Sequence, residues 1–229
     1  MKRFHILNGD CLAEIFPKEI EGERIIWREC TVSEAEFFVN REKYLSKNFG
    51  AEEADYLNKV LSEFHRIKKI TFDSEVYFWF EDDLFCQVNL WFLLKELPRN
   101  IEEVYVVLPT VKDEEKRWRG FSAHDSELLT ESLQNAIKID ESDLNLVHEL
   151  WNAFSAGDYE TLKNLSHSEQ KFSRKLREVI IANENRFNGQ LIKQIRELPQ
   201  NDFVELFKNF SEKYGVYGFG DLQLKKYLP

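Results

Sequence analysis

Four carboxylates in this chain sit where a sheet could bring them together. Asp10 closes the run His5-Ile6-Leu7-Asn8-Gly9-Asp10, and Glu81-Asp82-Asp83 follows the apolar run Phe78-Trp79-Phe80. Each run is strand-like and stops in an acidic turn that leads into a helical pattern. Ligands of open α/β sheets bind in the crevice outside the carboxyl ends of the strands. Asp10, Glu81, Asp82 and Asp83 are therefore candidates for one acidic cluster at a sheet edge. Hard cations such as Mg²⁺ take carboxylate oxygens together with waters and substrate phosphates. That makes Asp10, Glu81 and Asp83 the candidate metal ligands and Mg²⁺ the candidate cofactor. Helix capping is the simpler role, since an acidic residue at a helix N-terminus stabilises it by roughly 0.3–1 kcal/mol. One cap accounts for one carboxylate, not for three in a row.

Around these acids lie groups that could hold a ligand. Gly9 permits a tight turn, and the N–H groups of Asn8-Gly9-Asp10 at the next helix start suit an anion. Arg28, in Trp27-Arg28-Glu29, can grip a phosphate bidentately or pair with Glu81 or Asp82. Gln87 follows the acidic triplet by one helical turn. His124 stands where a polar loop meets a helix and is the acid/base candidate, whereas His5, inside the first strand, reads as a core histidine. The candidate ligand-binding set is Asn8, Gly9, Asp10, Arg28, Glu29, Gln87 and His124. No full G-x-G-x-x-G, phosphate-binding P-loop or G-x-S-x-G motif occurs, which disfavours standard dinucleotide, P-loop and serine-hydrolase chemistry. No catalytic residue is assigned.

The elements that must position these groups follow from periodicity. Arg3–Leu7, Arg24–Trp27, Glu75–Phe80 and Val104–Leu108 are expected strands. Helical patterns are expected from Ser33, with Glu36 completing a capping box, over Ala51–Ile67 and over Asp83–Leu97. Residues 110–124 read as a long polar loop, and everything after Asp125 as helices, over 125–138, 142–155, 158–166, 170–186, 189–198 and 202–213. Lys171, Arg174, Lys175 and Arg177 would then form a basic helical stretch suited to phosphate contacts or to solvent. The expected fold class is α/β, a small parallel sheet flanked by helices (Rossmann-like) over residues 1–124, followed by an all-helical part over 125–229.

Composition bounds the reading. The 229 residues are 43% hydrophobic and 31% charged, with 19 Phe and 5 Trp, as expected for a globular protein with an aromatic interior. No apolar run approaches the ~20 residues needed to span a bilayer, and no signal-peptide pattern opens the chain, so a cytoplasmic location is expected. Cys11, Cys30 and Cys86 lack a C-x-x-C spacing, and buried thiols are expected rather than a zinc or redox site. The net charge of −10 divides as −12 over residues 1–149 and +2 over 150–229. Nucleic acid is therefore an improbable partner for the first part and a candidate partner for the second.

Three motifs, His5–Asp10, Trp27–Glu29 and Trp79–Gln87, resemble an uncharacterised bacterial family, domain of unknown function (DUF) family 1835. Its members look alike in H-[I/V]-[L/V]-N-G-D, W-R-[D/E] and W-F-E-x-D-L-[F/Y]-x-Q, and the likeness covers about residues 3–108. After the second motif, Cys30-Thr31-Val32-Ser33 stands where many relatives carry Asp and Gly-Pro. The resemblance implies a bacterial α/β domain with this residue cluster, and no particular chemistry. The expected function is a site for a nucleotide or another phosphorylated small molecule. The rival is a non-catalytic regulatory or adaptor protein whose helical part binds a protein partner or nucleic acid.

Overall fold

The computed structural model describes residues 1–29, 31, 57–199 and 201–228. The helix expected from Ser33, the first turns of the one over Ala51–Ile67, and Cys30 lie outside these residues. Among the described residues, five strands form one sheet: β1 (Lys2–Asn8), β2 (Glu23–Trp27), β3 (Ser74–Trp79), β4 (Glu103–Val107) and β5 (Ile137–Lys138). Their order is β2-β1-β3-β4-β5. The first four run parallel and β5 is antiparallel to β4. Asn8 pairs with Trp27 across β1–β2, and Leu7 with Trp79 across β1–β3. The turns after β1, β2 and β3 therefore open at one end of the sheet, as the alternation of apolar runs and acidic turns predicts.

Alternate strand residues face opposite sides of the sheet. Ile6, Phe78 and Val106 join the larger core, while Leu7, Trp79 and Val107 join a smaller one on the other face. Helix α1 (Asp10–Ile15) covers the smaller face and ends before Pro17, which cannot continue it. Helix α2 (Ser62–Lys68) follows a π-turn at Leu57–Leu61 and buries Ile67. Helix α3 (Leu84–Glu96) is buried on nearly all sides, from Leu84 through Leu94, as its sequence, apolar almost all round, predicts. Helices α4 (Ser126–Gln134), α5 (Glu141–Ala156), α6 (Tyr159–Leu165), α7 (Leu176–Asn185), α8 (Gln190–Arg196), α9 (Phe203–Lys213) and α10 (Asp221–Lys225) complete the chain. Asp125, Asp140, Asp158 and Asp202 cap four of them with their side chains.

Three expectations need correction. Residues 110–124 are not one open loop: Glu114–Ala123 is a 3₁₀ segment kinked at Gly120. Helices do not fill everything after Asp125, because Ile137–Lys138 adds a strand to the sheet. The expected boundary between residues 124 and 125 consequently falls inside the sheet, and the larger core runs from Phe4 to Leu224. Finally, α7 begins at Leu176, so Lys171, Arg174 and Lys175 precede the helix rather than lining one face of it. Among the described residues, no helix is long and apolar enough to cross a membrane.

Candidate ligand-binding site

Three consecutive carboxylates after β3 have three different fates. Asp83 caps α3, its Oδ1 accepting the Cys86 backbone N–H at 2.9 Å. Capping is thus an actual role of this residue. Asp82 is buried and turns the other way. It accepts from Arg117 Nη1 at 3.0 Å, from Arg174 Nε at 2.8 Å and from the Arg174 backbone N–H at 3.0 Å. That clamp fixes the 3₁₀ segment and the chain before α7 onto the end of β3. Glu81 returns toward Asp83, and its Oε1 accepts the Phe121 backbone N–H at 2.8 Å.

Glu81, Asp83 and Cys86 converge, with ligating atoms all within 4.8 Å of one another. Two glycines make room for the pair. A Cβ on Gly120 (φ 55°) would fall within the Glu81 carboxyl group, and one on Gly218 (φ 63°) would collide with Asp83 Oδ1. Burial, reinforced by the charge of the other carboxyl, lifts Glu81 well above the ordinary carboxylate range. Burial also lifts Asp83, though the Cys86 N–H it accepts holds it below Glu81. Burial and both carboxyls push the Cys86 thiol well above its ordinary value, so it stays protonated.

A cavity of about 260 Å³ opens over this pair. Asn8, Glu81, Asp83 and Cys86 supply its polar side; Phe85, Trp118, Phe210, Tyr214 and Phe219 supply aromatic walls. Trp118 comes from the 3₁₀ segment and lies against Gly215, where a Cβ would strike it. Phe210 comes from α9 and Tyr214 directly follows that helix, their rings 5.9 Å apart, and Phe219 follows Gly218. The C-terminal helical part therefore closes the sheet-edge crevice.

The remaining candidates divide around this cavity. Asn8 lines it, donating from Nδ2 to Cys86 Sγ at 2.9 Å, while its Oδ1 accepts from Asn89 Nδ2 at 3.1 Å. Asn89 extends the chain to Thr31 and to the Glu29 carbonyl, with Glu29 buried. Gln87 is fully buried and donates to the Glu81 carbonyl at 2.8 Å, supporting the cavity from behind. Asp10 stands apart from the Glu81–Asp83 pair: its carboxylate accepts Arg28 Nε at 2.9 and 3.0 Å. Arg28 thus pairs with Asp10, not with Glu81 or Asp82. The Gly9 N–H, proposed for an anion, donates to the Leu7 and Trp27 carbonyls instead. His124 is half-buried against Phe121, which lowers its basicity, and it does not line the cavity. His5 is a satisfied core residue, accepting from Trp79 Nε1 at 3.0 Å and lying 3.2 Å from the Glu21 carbonyl. Burial pushes it down to about 4.

Sequence reasoning missed Cys86, Asn89, Trp118 and the aromatic wall of the cavity. Its one visible signal was the Tyr/Phe-rich turn holding Gly215, Gly218 and Gly220. No family model, curated protein or solved structure matches this chain. The functional reading stands on the residues themselves.

Proposed function

We propose that this protein binds a small molecule in the cavity at the carboxyl edge of the sheet, and that Glu81 and Asp83 receive positive charge brought by that ligand. One observation carries the reading. Two carboxyls meet at one wall of a cavity whose lining, among the described residues, includes no Lys, Arg or His. A buried pair of acids without a countercharge is costly to ionise, and a cationic ligand removes that cost.

A phosphorylated or nucleotide ligand enters this scheme as a complex with a divalent cation. Glu81 and Asp83 would hold the ion, which would supply the positive charge that phosphate needs. Arg28 and the Gly9 N–H, the groups expected to meet phosphate directly, are engaged within the protein. The regulatory alternative draws on the charge asymmetry, but Lys171, Arg174 and Lys175 are paired with Asp140, Asp82 and Glu114. Those pairings weaken a nucleic-acid-binding face and favour the cavity reading.

Thermal-shift measurements with MgCl₂, MnCl₂, nucleotides with and without metal, and small amines test the proposal. Anything that binds only the native state raises its apparent stability. Shifts from cationic probes that vanish in the Glu81→Gln/Asp83→Asn double variant are the expected result. Shifts that persist in that variant would contradict it.

A further inference from the structure

We infer that the charge received by this cavity is an organic ammonium group carried on a small apolar body, rather than a hard metal ion such as Mg²⁺. The inference rests on the ligand-binding reading above and names the chemical class of the ligand.

The donor set suits a hard metal poorly. Glu81 spends one oxygen on the Phe121 N–H and Asp83 one on the Cys86 N–H. Asn8 turns its amide nitrogen, not its oxygen, toward Cys86, and its oxygen is engaged by Asn89. The third atom of the cluster is the Cys86 sulfur, a soft donor that Mg²⁺ and Ca²⁺ do not favour. The two carboxyl groups, which meet at the cavity wall, are nevertheless good acceptors for the N–H groups of an ammonium ion.

The walls point the same way. Five of the twelve described residues around the cavity are aromatic: Phe85, Trp118, Phe210, Tyr214 and Phe219. Aromatic faces attract a cation stripped of water and cover an alkyl or aryl body at the same time. A metal ion keeping its water shell gains little from them. At about 260 Å³ the cavity falls below the ~300–1,000 Å³ typical of drug-sized ligand pockets. It has room for an amine with one ring or a short chain, not for a dinucleotide.

Isothermal titration calorimetry with four probes separates the possibilities: phenethylammonium, its uncharged analogue 2-phenylethanol, phenylacetate, and MnCl₂. Phenethylammonium is expected to bind at least about tenfold more tightly than 2-phenylethanol, and phenylacetate not at all. The Glu81→Gln/Asp83→Asn variant is expected to lose that preference, and Trp118→Leu to weaken binding about fivefold, the size of a lost cation–aromatic contact. Circular dichroism checks each fold, with Tyr214→Leu in place of Trp118→Leu should the latter not fold. Equal affinity for the amine and the alcohol would overturn the inference. Mn²⁺ binding that needs Glu81 and Asp83, without amine binding, would overturn it while leaving the proposed function standing. Binding of neither cation would overturn both.

Discussion

Replacing Asp82 with Ala should destabilise the protein strongly. Asp82 is 3% exposed and answers two guanidinium groups from segments distant in sequence. Removing one partner of a buried ion pair typically costs about 3–5 kcal/mol, because the other charge is left unanswered. Two features of the site place the cost at the low end. Arg117 keeps Glu114, which accepts its Nε at 2.8 Å and its Nη2 at 2.6 Å. The Arg174 side chain, 34% exposed, keeps the Pro109 carbonyl and reaches water. A loss near 3 kcal/mol follows, which for a chain of this size lowers Tm by roughly 6–12 °C. Urea denaturation of Asp82→Ala, Arg174→Ala and the double variant closes the cycle. The double variant should be less destabilised than the two singles added together, since they share one interaction. A change below about 0.5 kcal/mol for Asp82→Ala, the level of an ordinary surface substitution, would refute the clamp.

The acidic pair should behave oppositely. In Glu81→Gln/Asp83→Asn each amide oxygen can still accept the Phe121 or Cys86 N–H, while the costly ionisation disappears. An acid whose folded value is raised lends stability that is present below its ordinary value and lost as the pH rises, at about 1.4 kcal/mol for each unit of rise. The variant should therefore match or exceed the native protein at pH 8 and lose that advantage toward pH 4; a variant markedly less stable at pH 8 would contradict this. His5 carries the reverse sign. Its folded value of about 4 lies below the ordinary ~6.5, so its contribution is complete above pH 6.5 and about 3 kcal/mol is lost as the pH falls toward 4. Urea midpoints of the native protein and His5→Gln across that window should converge at low pH, and parallel curves would refute the assignment. Gly218→Ala meets both a left-handed φ of 63° and the Asp83 carboxyl, so a loss of at least about 1–2 kcal/mol is expected in thermal melts, with weaker cation binding. Unchanged binding in a folded Gly218→Ala variant would remove the glycine from the site.

The strands and the Asp83 cap were legible because each is a local matter. Apolar runs such as Phe78-Trp79-Phe80 declare a strand covered on both faces, and an acid before Leu84 declares a helix start. The partner of Asp10 was not legible, because it depends on the register that sets Asn8 beside Trp27 and so brings Arg28 within reach. The charged stretch Lys112–Arg117 looked like a solvated loop because its anchor, Asp82, lies on another element. The two-residue strand Ile137–Lys138 is too short to break a helical period. The cavity joins β1, the turn after β3, the 3₁₀ segment and the end of the chain, and no sequence window contains more than one of these.

The most direct test of the central claim is a ¹H–¹⁵N NMR titration of the labelled protein with phenethylammonium. The account predicts saturable shifts of the Trp118 indole N–H and of the Phe121 and Cys86 amides, the groups that meet the aromatic wall and the two carboxyls. Remote signals such as the Trp91 indole should stay still. Saturation with those three signals unmoved, or shifts clustered elsewhere on the molecule, would show that this cavity is not where a cationic ligand binds.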